Sequence, residues 1–354
     1  LEEFYRDQHT LLASTPSVWP VRGYLSATFG NRADPFTGQR DFHPGLDIST
    51  PIGTRVQAPA DGDCLAARGG AAIFNAPTRG KTDTQGKDAA VFLDWVYTNN
   101  WRKLAPGRCR YGLMLDENGM VMDDGVTARI DDHHCLMTTT TGGAARVMTW
   151  LERWLQTEWP NLDVYLTSVS DHWATVAVAG PLSRGVVSSI TTGVDFSTDA
   201  FPHMAWRDGT IAGVPARVMR ISFSGELAYE VNVCANDARR VWEALFDPAM
   251  ACGITPYVTA VMHVLRAEKG YIIVGQDTDG SVTPIDLGMD WVVSKTKDFI
   301  GRRSLTRSDT MREDRKQLVG LLARDPRTVL QEGAQILADA SVPPLKVIMQ
   351  PQST

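Results

Sequence analysis

The chain has 354 residues, of which 43% are hydrophobic and 21% are charged, as is usual for a globular protein with two or three domains. The formal net charge of -6 and the absence of a Lys/Arg run exclude nucleic acid as an expected partner. No apolar stretch is long enough to span a bilayer, so no membrane partner is expected either. The cysteines are few, odd in number and without a CxxC pair: Cys64, Cys109, Cys135, Cys234 and Cys252. They predict buried free thiols in a reducing compartment, and therefore a cytoplasmic protein.

The composition along the chain divides it into three parts. Residues 1–65 are rich in turns, with Pro and Gly between short predicted strands. Residues 72–310 show longer helix and strand patterns, and the third part, residues 311–354, ends in a tail over residues 341–354 that has no clear pattern. The middle part combines strand–helix–strand blocks with antiparallel hairpins, which predicts an α+β fold rather than a doubly wound parallel sheet.

The first part carries a motif of zinc chemistry. Its blocks 23–30, 34–38, 42–48 and 58–62 resemble the opening of the lysostaphin-type zinc endopeptidases that cut peptidoglycan. In that family an H-x-x-x-D pair, here His43 and Asp47, supplies two zinc ligands, and a later H-x-H supplies the third. Catalytic zinc needs three protein ligands and a water, and no H-x-H follows in this chain. We therefore expect an incomplete metal site and an inactive peptidase-like segment.

The middle part contains three predicted helices with one apolar face each. The first follows Asp88, a candidate N-cap, and the third follows Asp237. Their apolar residues are Ala89, Phe92, Leu93 and Val96; Val147, Leu151, Trp154 and Leu155; and Val241, Trp242 and Leu245. Residues 174–178, 216–221 and 229–233 alternate as strands do.

A hairpin over residues 109–129 is the most informative element. Tyr111 opens an apolar strand, a turn follows at residues 116–119, and a second strand carries the adjacent carboxylates Asp123 and Asp124. Neighbouring residues on a strand point to opposite faces. One carboxylate can therefore face a pocket, while the other faces water or a backbone donor. Burying an acid is costly unless it is paired or functional.

Residues 72–340 resemble the folate-binding, aminomethyltransferase-type half of the alpha subunit of heterotetrameric sarcosine oxidase. The chain is similarly related to the glycine-cleavage T-protein and to dimethylglycine oxidase. The resemblance depends on ordered blocks at residues 96–99, 109–129, 138–146, 150–160, 221–230, 263–276, 283–286 and 299–302. It implies an enzyme module of one-carbon metabolism that uses tetrahydrofolate.

The resemblance also implies roles for single residues. Glu230 matches the glutamate that binds the aminopyrimidine edge of the pterin, and a carboxylate suits such an edge because it accepts paired hydrogen bonds. Tyr111 matches an aromatic residue of the pterin slot, and Arg266 matches a pocket arginine. Asp124 matches the essential aspartate beside folate N10, which moves a proton or stabilises a developing cation.

Two positions of the same predicted site depart from the T-protein pattern. Thr140 stands in place of Asn, and Phe223 stands in place of Tyr, so both lose polar reach toward folate.

The resemblance implies that part of the enzyme lies outside this chain. Oxidation of sarcosine needs a flavin, and no G-x-G-x-x-G motif for FAD or NAD occurs here. The one-carbon donor derived from sarcosine and the other sarcosine oxidase subunits are the expected partners. A truncated C-terminal β-barrel is expected to start with a strand at residues 317–322. A fusion or a fragment would explain the two unlike halves. A peptidoglycan-directed zinc peptidase segment and a non-catalytic folate-binding or subunit-docking protein remain the alternatives.

Overall fold

The computed structural model describes residues 67–320, except 77–78, 252–254 and 258, and the backbone of four short strands nearer the N-terminus. The side chains of residues 75, 247–251, 255 and 260 are also outside the description. The first four strands are β1 (Tyr24–Ala27), β2 (Gly30–Ala33), β3 (Arg40–His43) and β4 (Asp47–Ser49). They form two antiparallel pairs, β1 with β4 and β2 with β3.

Helical residues 67–69 follow, and then five α-helices whose full bounds are described and twelve further strands. The helices are α1 (Ala89–Val96), α2 (Ala144–Thr157), α3 (Ser183–Ile190), α4 (Ala238–Ala251) and α5 (Thr259–Lys269). The strands are β5 (Ala72–Asn75), β6 (Gly80–Gln85), β7 (Cys109–Leu115), β8 (Val121–Asp131), β9 (His134–Thr139), β10 (Tyr165–Ser168), β11 (Trp173–Ala179), β12 (Thr191–Thr192), β13 (Trp206–Ile211), β14 (Val214–Met219), β15 (Ala228–Cys234) and β16 (Thr255–Pro256). Short 3₁₀ helices cover Ser170–His172, Ala235–Asp237, Asp290–Val292 and Arg302–Thr306.

These strands form two sheets that confirm the predicted α+β class. The five-stranded sheet has the order β10-β6-β9-β8-β7 and is antiparallel throughout. The seven-stranded sheet has the order β12-β13-β14-β15-β11-β5-β16, and only its edge pair β5–β16 is parallel. Most strands therefore pair with antiparallel neighbours, as hairpin connections favour.

Each sheet has its own hydrophobic core. Helices α1 and α2 pack their apolar faces on the five-stranded sheet, where Phe92, Leu93 and Leu151 are fully buried. Helices α3 and α4 cover the seven-stranded sheet, with Val187 and Leu245 fully buried. Burial of such side chains contributes roughly 1.5–3 kcal/mol each. The three predicted helices are therefore confirmed as amphipathic elements that face the sheets.

The predicted hairpin is strands β7 and β8. Asp116 Oδ1 accepts hydrogen bonds from the backbone N–H groups of Asn118 and Met120, at 2.9 and 2.8 Å. Gly119 has a φ of 84°, a left-handed conformation that glycine adopts at little cost. The register then places Leu113 opposite Asp124 and Tyr111 opposite Val126.

Three local expectations are wrong. Asp88 stands at the N-cap position of α1, but its side chain makes no cap bond and accepts the backbone N–H of Asp163 instead. Cys234 is an exposed free thiol, because it lies at the end of β15. Residues 317–320 form no strand, and a single backbone bond joins Leu318 to Asp286.

Two further expectations concern the tail and the membrane. Residues 321–322, the rest of the predicted barrel strand, lie outside the described residues, and no closed barrel is present in the described part of the chain. No helix within the described ranges has both the length and the apolarity needed to cross a bilayer.

Candidate functional site

A cavity of about 1920 Å³ is lined by residues of both sheets and of helix α5. Five of the six predicted folate-binding residues line it, and they are Tyr111, Asp124, Thr140, Phe223 and Glu230. Strands β7, β8 and β15 supply Tyr111, Asp124 and Glu230. The fold thus brings together residues that lie more than a hundred positions apart in the sequence.

Tyr111 and Asp124 form a hydrogen-bonded pair in the cavity. The Tyr111 hydroxyl donates to Asp124 Oδ2 over 2.8 Å. The pKa of Asp124 is raised to about 6, first by burial and also by the charge of the neighbouring Asp123, against the lowering effects of the Tyr111 bond and of Arg79. Burial and the Asp124 charge raise the pKa of Tyr111 well above its usual value. A carboxyl group with a pKa near neutrality can take and return a proton.

Asp123 lies on the opposite face of β8 and is fully buried. Its Oδ1 accepts hydrogen bonds from the backbone N–H groups of Thr140 and Asp124, at 3.0 and 2.7 Å. Its Oδ2 accepts the Thr140 hydroxyl at 2.8 Å. Burial raises its pKa, against these bonds. Asp123 is therefore the carboxylate that faces backbone donors and not water, and it holds the loop that follows β9.

Glu230 lies at the inner part of the cavity with only 6% of its side chain exposed. Its Oε1 is 2.8 Å from Nη1 of Arg79, a residue just before β6. The Arg79 guanidinium carbon is 6.0 Å from the centroid of the Phe223 ring. Arg79 is a site residue that the sequence interpretation missed, because no local pattern links it to a strand so distant in the chain.

Two other predicted residues form part of the cavity wall. The Phe223 ring stacks on that of Tyr271, with centroids 6.2 Å apart and planes 19° apart. Thr140 uses its hydroxyl within the protein, since it donates to Asp123 and accepts from the backbone N–H of Gly143 at 3.1 Å. Phe223 and Tyr271 therefore offer a flat aromatic surface, whereas Thr140 mainly shapes the loop.

Arg266 does not line the cavity. It is 7% exposed on α5, where its guanidinium contacts the Asp277 carboxylate and donates to the Tyr271 carbonyl oxygen at 3.1 Å. Glu268, on the same helix, contacts Arg68 and not Arg266. Direct folate binding by Arg266 therefore stays a prediction, and its observed contacts support the segment that carries Tyr271.

The predicted zinc ligands His43 and Asp47 end β3 and begin β4, and their side chains lie outside the described residues. Within the described residues, no group of three or more His, Cys, Asp or Glu side chains could hold a metal ion. Zinc binding by His43 and Asp47 stays a prediction.

Comparisons with known proteins agree with this architecture. The family profile described as the GCVT N-terminal domain matches residues 27–297, and so begins within the segment 1–65. The chain is 55% identical over 281 residues to sarcosine oxidase subunit alpha of Corynebacterium sp. strain P-1, covering 79% of this chain and 29% of that protein. It is 40% identical over 287 residues to the same subunit of Rhizobium meliloti strain 1021, covering 80% and 29%. The chain thus spans about 29% of the length of these curated relatives.

The same region is similar to shorter proteins. The aminomethyltransferase of Thermotoga petrophila is 29% identical over 280 residues, covering 77% of this chain and 74% of that protein. The crystal structure of aminomethyltransferase T of the glycine cleavage system from Bartonella henselae superposes with a TM-score of 0.60 at 21% identity. That superposition covers 68% of this chain and 64% of the other, and it supports the aminomethyltransferase-like fold. The chain therefore belongs to the family of the GCVT N-terminal domain.

Proposed function

We propose that this chain is a one-carbon transfer module that moves a methylene group from an amine donor to tetrahydrofolate. The observation that carries the proposal is one cavity lined by the Tyr111–Asp124 pair and by the buried Glu230. The relatives named sarcosine oxidase subunit alpha and aminomethyltransferase support it.

The residues present fit a reduced folate. Glu230 is a buried carboxylate that can accept paired N–H donors from an aminopyrimidine edge. A carboxylate has about four acceptor positions, so the Arg79 contact leaves capacity for a ligand. The stacked rings of Phe223 and Tyr271 suit a flat, partly apolar ring system.

Asp124 is the proposed proton carrier. With a pKa of about 6 it is mostly ionised at neutral pH and can accept a proton. Tyr111 occupies Oδ2, so we assign proton transfer to Oδ1 and positioning of the carboxylate to Tyr111. A bound reduced folate supplies two neighbouring amine nitrogens that bridge one carbon. Each new bond from that carbon to a folate nitrogen replaces one of its two bonds to the donor nitrogen and releases one N–H proton. Asp124 would take these two protons in turn and pass each to the amine that leaves.

The donor and the partners follow from the longer relatives. We propose that the methylene group comes from oxidised sarcosine, that a flavin outside this chain performs the oxidation, and that other sarcosine oxidase subunits dock here in the cytoplasm. These proposals depend on relatives whose length this chain covers by about 29%.

Calorimetric titration with tetrahydrofolate tests the binding site. Glu230→Gln keeps the shape and removes a charge-assisted acceptor, so we expect roughly 10- to 100-fold weaker binding, from about 1.5–3 kcal/mol. Glu152→Gln, on an exposed carboxylate of α2, is the matched control and should bind as the wild type does. Thermal unfolding of both variants checks that they remain folded. Equal affinity in Glu230→Gln would remove Glu230 from the proposed site.

Turnover separates catalysis from binding alone. Formaldehyde and tetrahydrofolate are supplied, and methylene-tetrahydrofolate is followed. Binding without any acceleration over the reaction without protein would favour the non-catalytic folate-binding alternative.

A further inference from the structure

Three basic residues lie close together beside the cavity: Arg108, His203 and Arg220. The backbone N–H of Met204 donates to the Arg220 carbonyl at 3.0 Å, and the backbone N–H of Cys109 donates to the Met204 carbonyl at 2.8 Å. Residues 108, 203 and 220 are therefore held next to one another by short backbone connections. His203 and Arg220 line the cavity.

The backbone at this point has an unusual conformation. Met204 has a φ of 56°, in the left-handed region that a side chain with a Cβ rarely adopts. Such a conformation costs of order 1–3 kcal/mol and persists where the surroundings hold it. The surroundings here are the backbone bonds that join Met204 to Arg220 and to Cys109, and they fix the backbone of the neighbouring His203 beside both residues.

The arginines of this cluster differ from Arg79 in having no carboxylate beside them in the described part of the chain. Arg79 has the carboxylate of Glu230 at 2.8 Å. Among the described residues, neither Arg108 nor Arg220 has a carboxylate partner. Positive charges held together without an anion repel one another, so a bound anion would stabilise the arrangement.

The described surroundings of Arg220 and His203 also lack a group that balances their positive charge. The Arg220 guanidinium donates from Nη1 to the Phe201 carbonyl oxygen at 2.7 Å, while its buried Nε has no hydrogen-bond partner. The pKa of His203 is lowered, first by burial and then by the charges of Arg220 and Arg108. No acid offsets these effects on His203. An unpaired buried donor costs free energy until a ligand satisfies it.

We propose that Arg108, His203 and Arg220 form a carboxylate-binding subsite beside the cavity. Guanidinium groups recognise carboxylates through charge-assisted, frequently bidentate hydrogen bonds, which is the chemistry that this cluster lacks within the protein. Under the proposed function, on which this inference rests, the carboxylate has two sources. It belongs either to the glutamyl tail of the folate or to an amino-acid-sized amine donor.

The experiment follows the imidazole resonances of His203 by NMR while N-methylglycine is added to the full chain. We expect a saturable shift, because a carboxylate beside the ring raises the His203 pKa. Dimethylamine, which keeps the methylamine group and lacks the carboxylate, should cause no shift. A second measurement tests folate as the source of the carboxylate. It compares the binding of tetrahydrofolate with that of a tetrahydropterin that lacks the glutamyl tail.

Two variants identify the residues. Arg220→Gln should weaken the carboxylate response roughly tenfold, and Arg108→Gln should weaken it about threefold, from loss of charge-assisted bonds. Arg220→Gln loses the bond to the Phe201 carbonyl oxygen and could therefore impair folding. Arg108 has no side-chain partner among the described residues, so Arg108→Gln tests the subsite without that loss. Lys103→Gln removes the same charge from an exposed neighbouring position outside the cavity and should change nothing.

Each arm has an outcome that decides. A response to N-methylglycine alone assigns the subsite to the donor, and an arginine effect on tetrahydrofolate but not on the tetrahydropterin assigns it to the glutamyl tail. No response of either arm to Arg108→Gln and Arg220→Gln overturns the subsite. Failure of the folate proposal differs, because the wild type would then bind neither pterin while the His203 response to N-methylglycine persists.

Discussion

Strand β8 carries an aspartate on each of its two faces, and the two carboxylates have different surroundings. Asp124 faces the cavity, where a single hydroxyl, that of Tyr111, donates to it at 2.8 Å. Asp123 faces the protein interior, where the backbone N–H groups of Thr140 and Asp124 and the Thr140 hydroxyl donate to it. Burial raises the pKa of both carboxyl groups. A buried carboxylate whose acceptor positions are filled by protein donors stabilises the fold, whereas one with free acceptor positions can bind a ligand or take a proton.

The largest expected effect is on the rate of transfer, when Asp124 on the cavity face of β8 is substituted. Asp124→Asn keeps the shape and removes the proton acceptor, so transfer to tetrahydrofolate should fall by about 10²–10⁴-fold, the usual contribution of a general acid–base group. Folate binding and the thermal midpoint should stay close to those of the wild type. The measurement is methylene-tetrahydrofolate formation from formaldehyde, with Asp199→Asn on an exposed carboxylate as the control. A rate unchanged in Asp124→Asn would contradict the proton-carrier role.

The interior face should respond in stability rather than in rate. Asp123→Asn weakens the bonds to Thr140, so we expect about 1–3 kcal/mol less free energy of unfolding. Denaturant unfolding measures this loss, and transfer by the folded fraction should remain within a few-fold of the wild-type rate. A large loss of transfer in Asp123→Asn together with a silent Asp124→Asn would reverse the assignment of the two faces.

The loop that Asp123 holds offers a matched pair of substitutions. A Cβ added at Gly143 would stand 1.8 Å from Asp123 Oδ2, whereas a Cβ added at Gly142 meets nothing within 4 Å. Gly143→Ala should therefore displace the carboxylate and destabilise the fold by about 1–3 kcal/mol. Gly142→Ala should change the free energy of unfolding by less than about 0.5 kcal/mol. Equal stability of the two variants, by denaturant unfolding, would show that the loop does not depend on Asp123.

The sequence predicted the elements that depend on local patterns. The hairpin of β7 and β8 followed from alternation and from the turn at residues 116–119, and α1, α2 and α4 followed from apolar periodicity. Alternation also indicated that Asp123 and Asp124 lie on opposite faces. Contacts between distant segments were beyond such patterns. Nothing in the order of residues indicates that Thr140 binds Asp123 or that Arg79 meets Glu230.

Local patterns also could not indicate the contacts of Arg266 or the cluster of basic residues beside the cavity. Arg266 was expected in the pocket from its matched position, yet the nearby Asp277 binds its guanidinium. The cluster of Arg108, His203 and Arg220 depends on backbone bonds between three loops, and each residue alone looks like an ordinary surface charge. Ion pairing is set by the tertiary fold, so residue type and spacing do not determine it.

The smallest expected effect concerns the pH profile of the cavity face. Tyr111 donates to Asp124 and so favours the ionised carboxylate, which opposes the effect of burial and helps to keep the pKa of Asp124 at about 6. Tyr111→Phe removes that bond, and the pKa of Asp124 should rise by up to about one unit. Because the ionised form accepts the proton, the acid limb of kcat/KM should move to higher pH by the same amount. Transfer at pH 6 should then fall several-fold, while transfer well above pH 7 should stay close to the wild-type rate. Tyr165→Phe, at an exposed tyrosine outside the cavity, is the control and should leave the profile unchanged. An acid limb that stays in place or moves to lower pH would show that the Tyr111 hydroxyl does not hold the Asp124 carboxylate during the reaction.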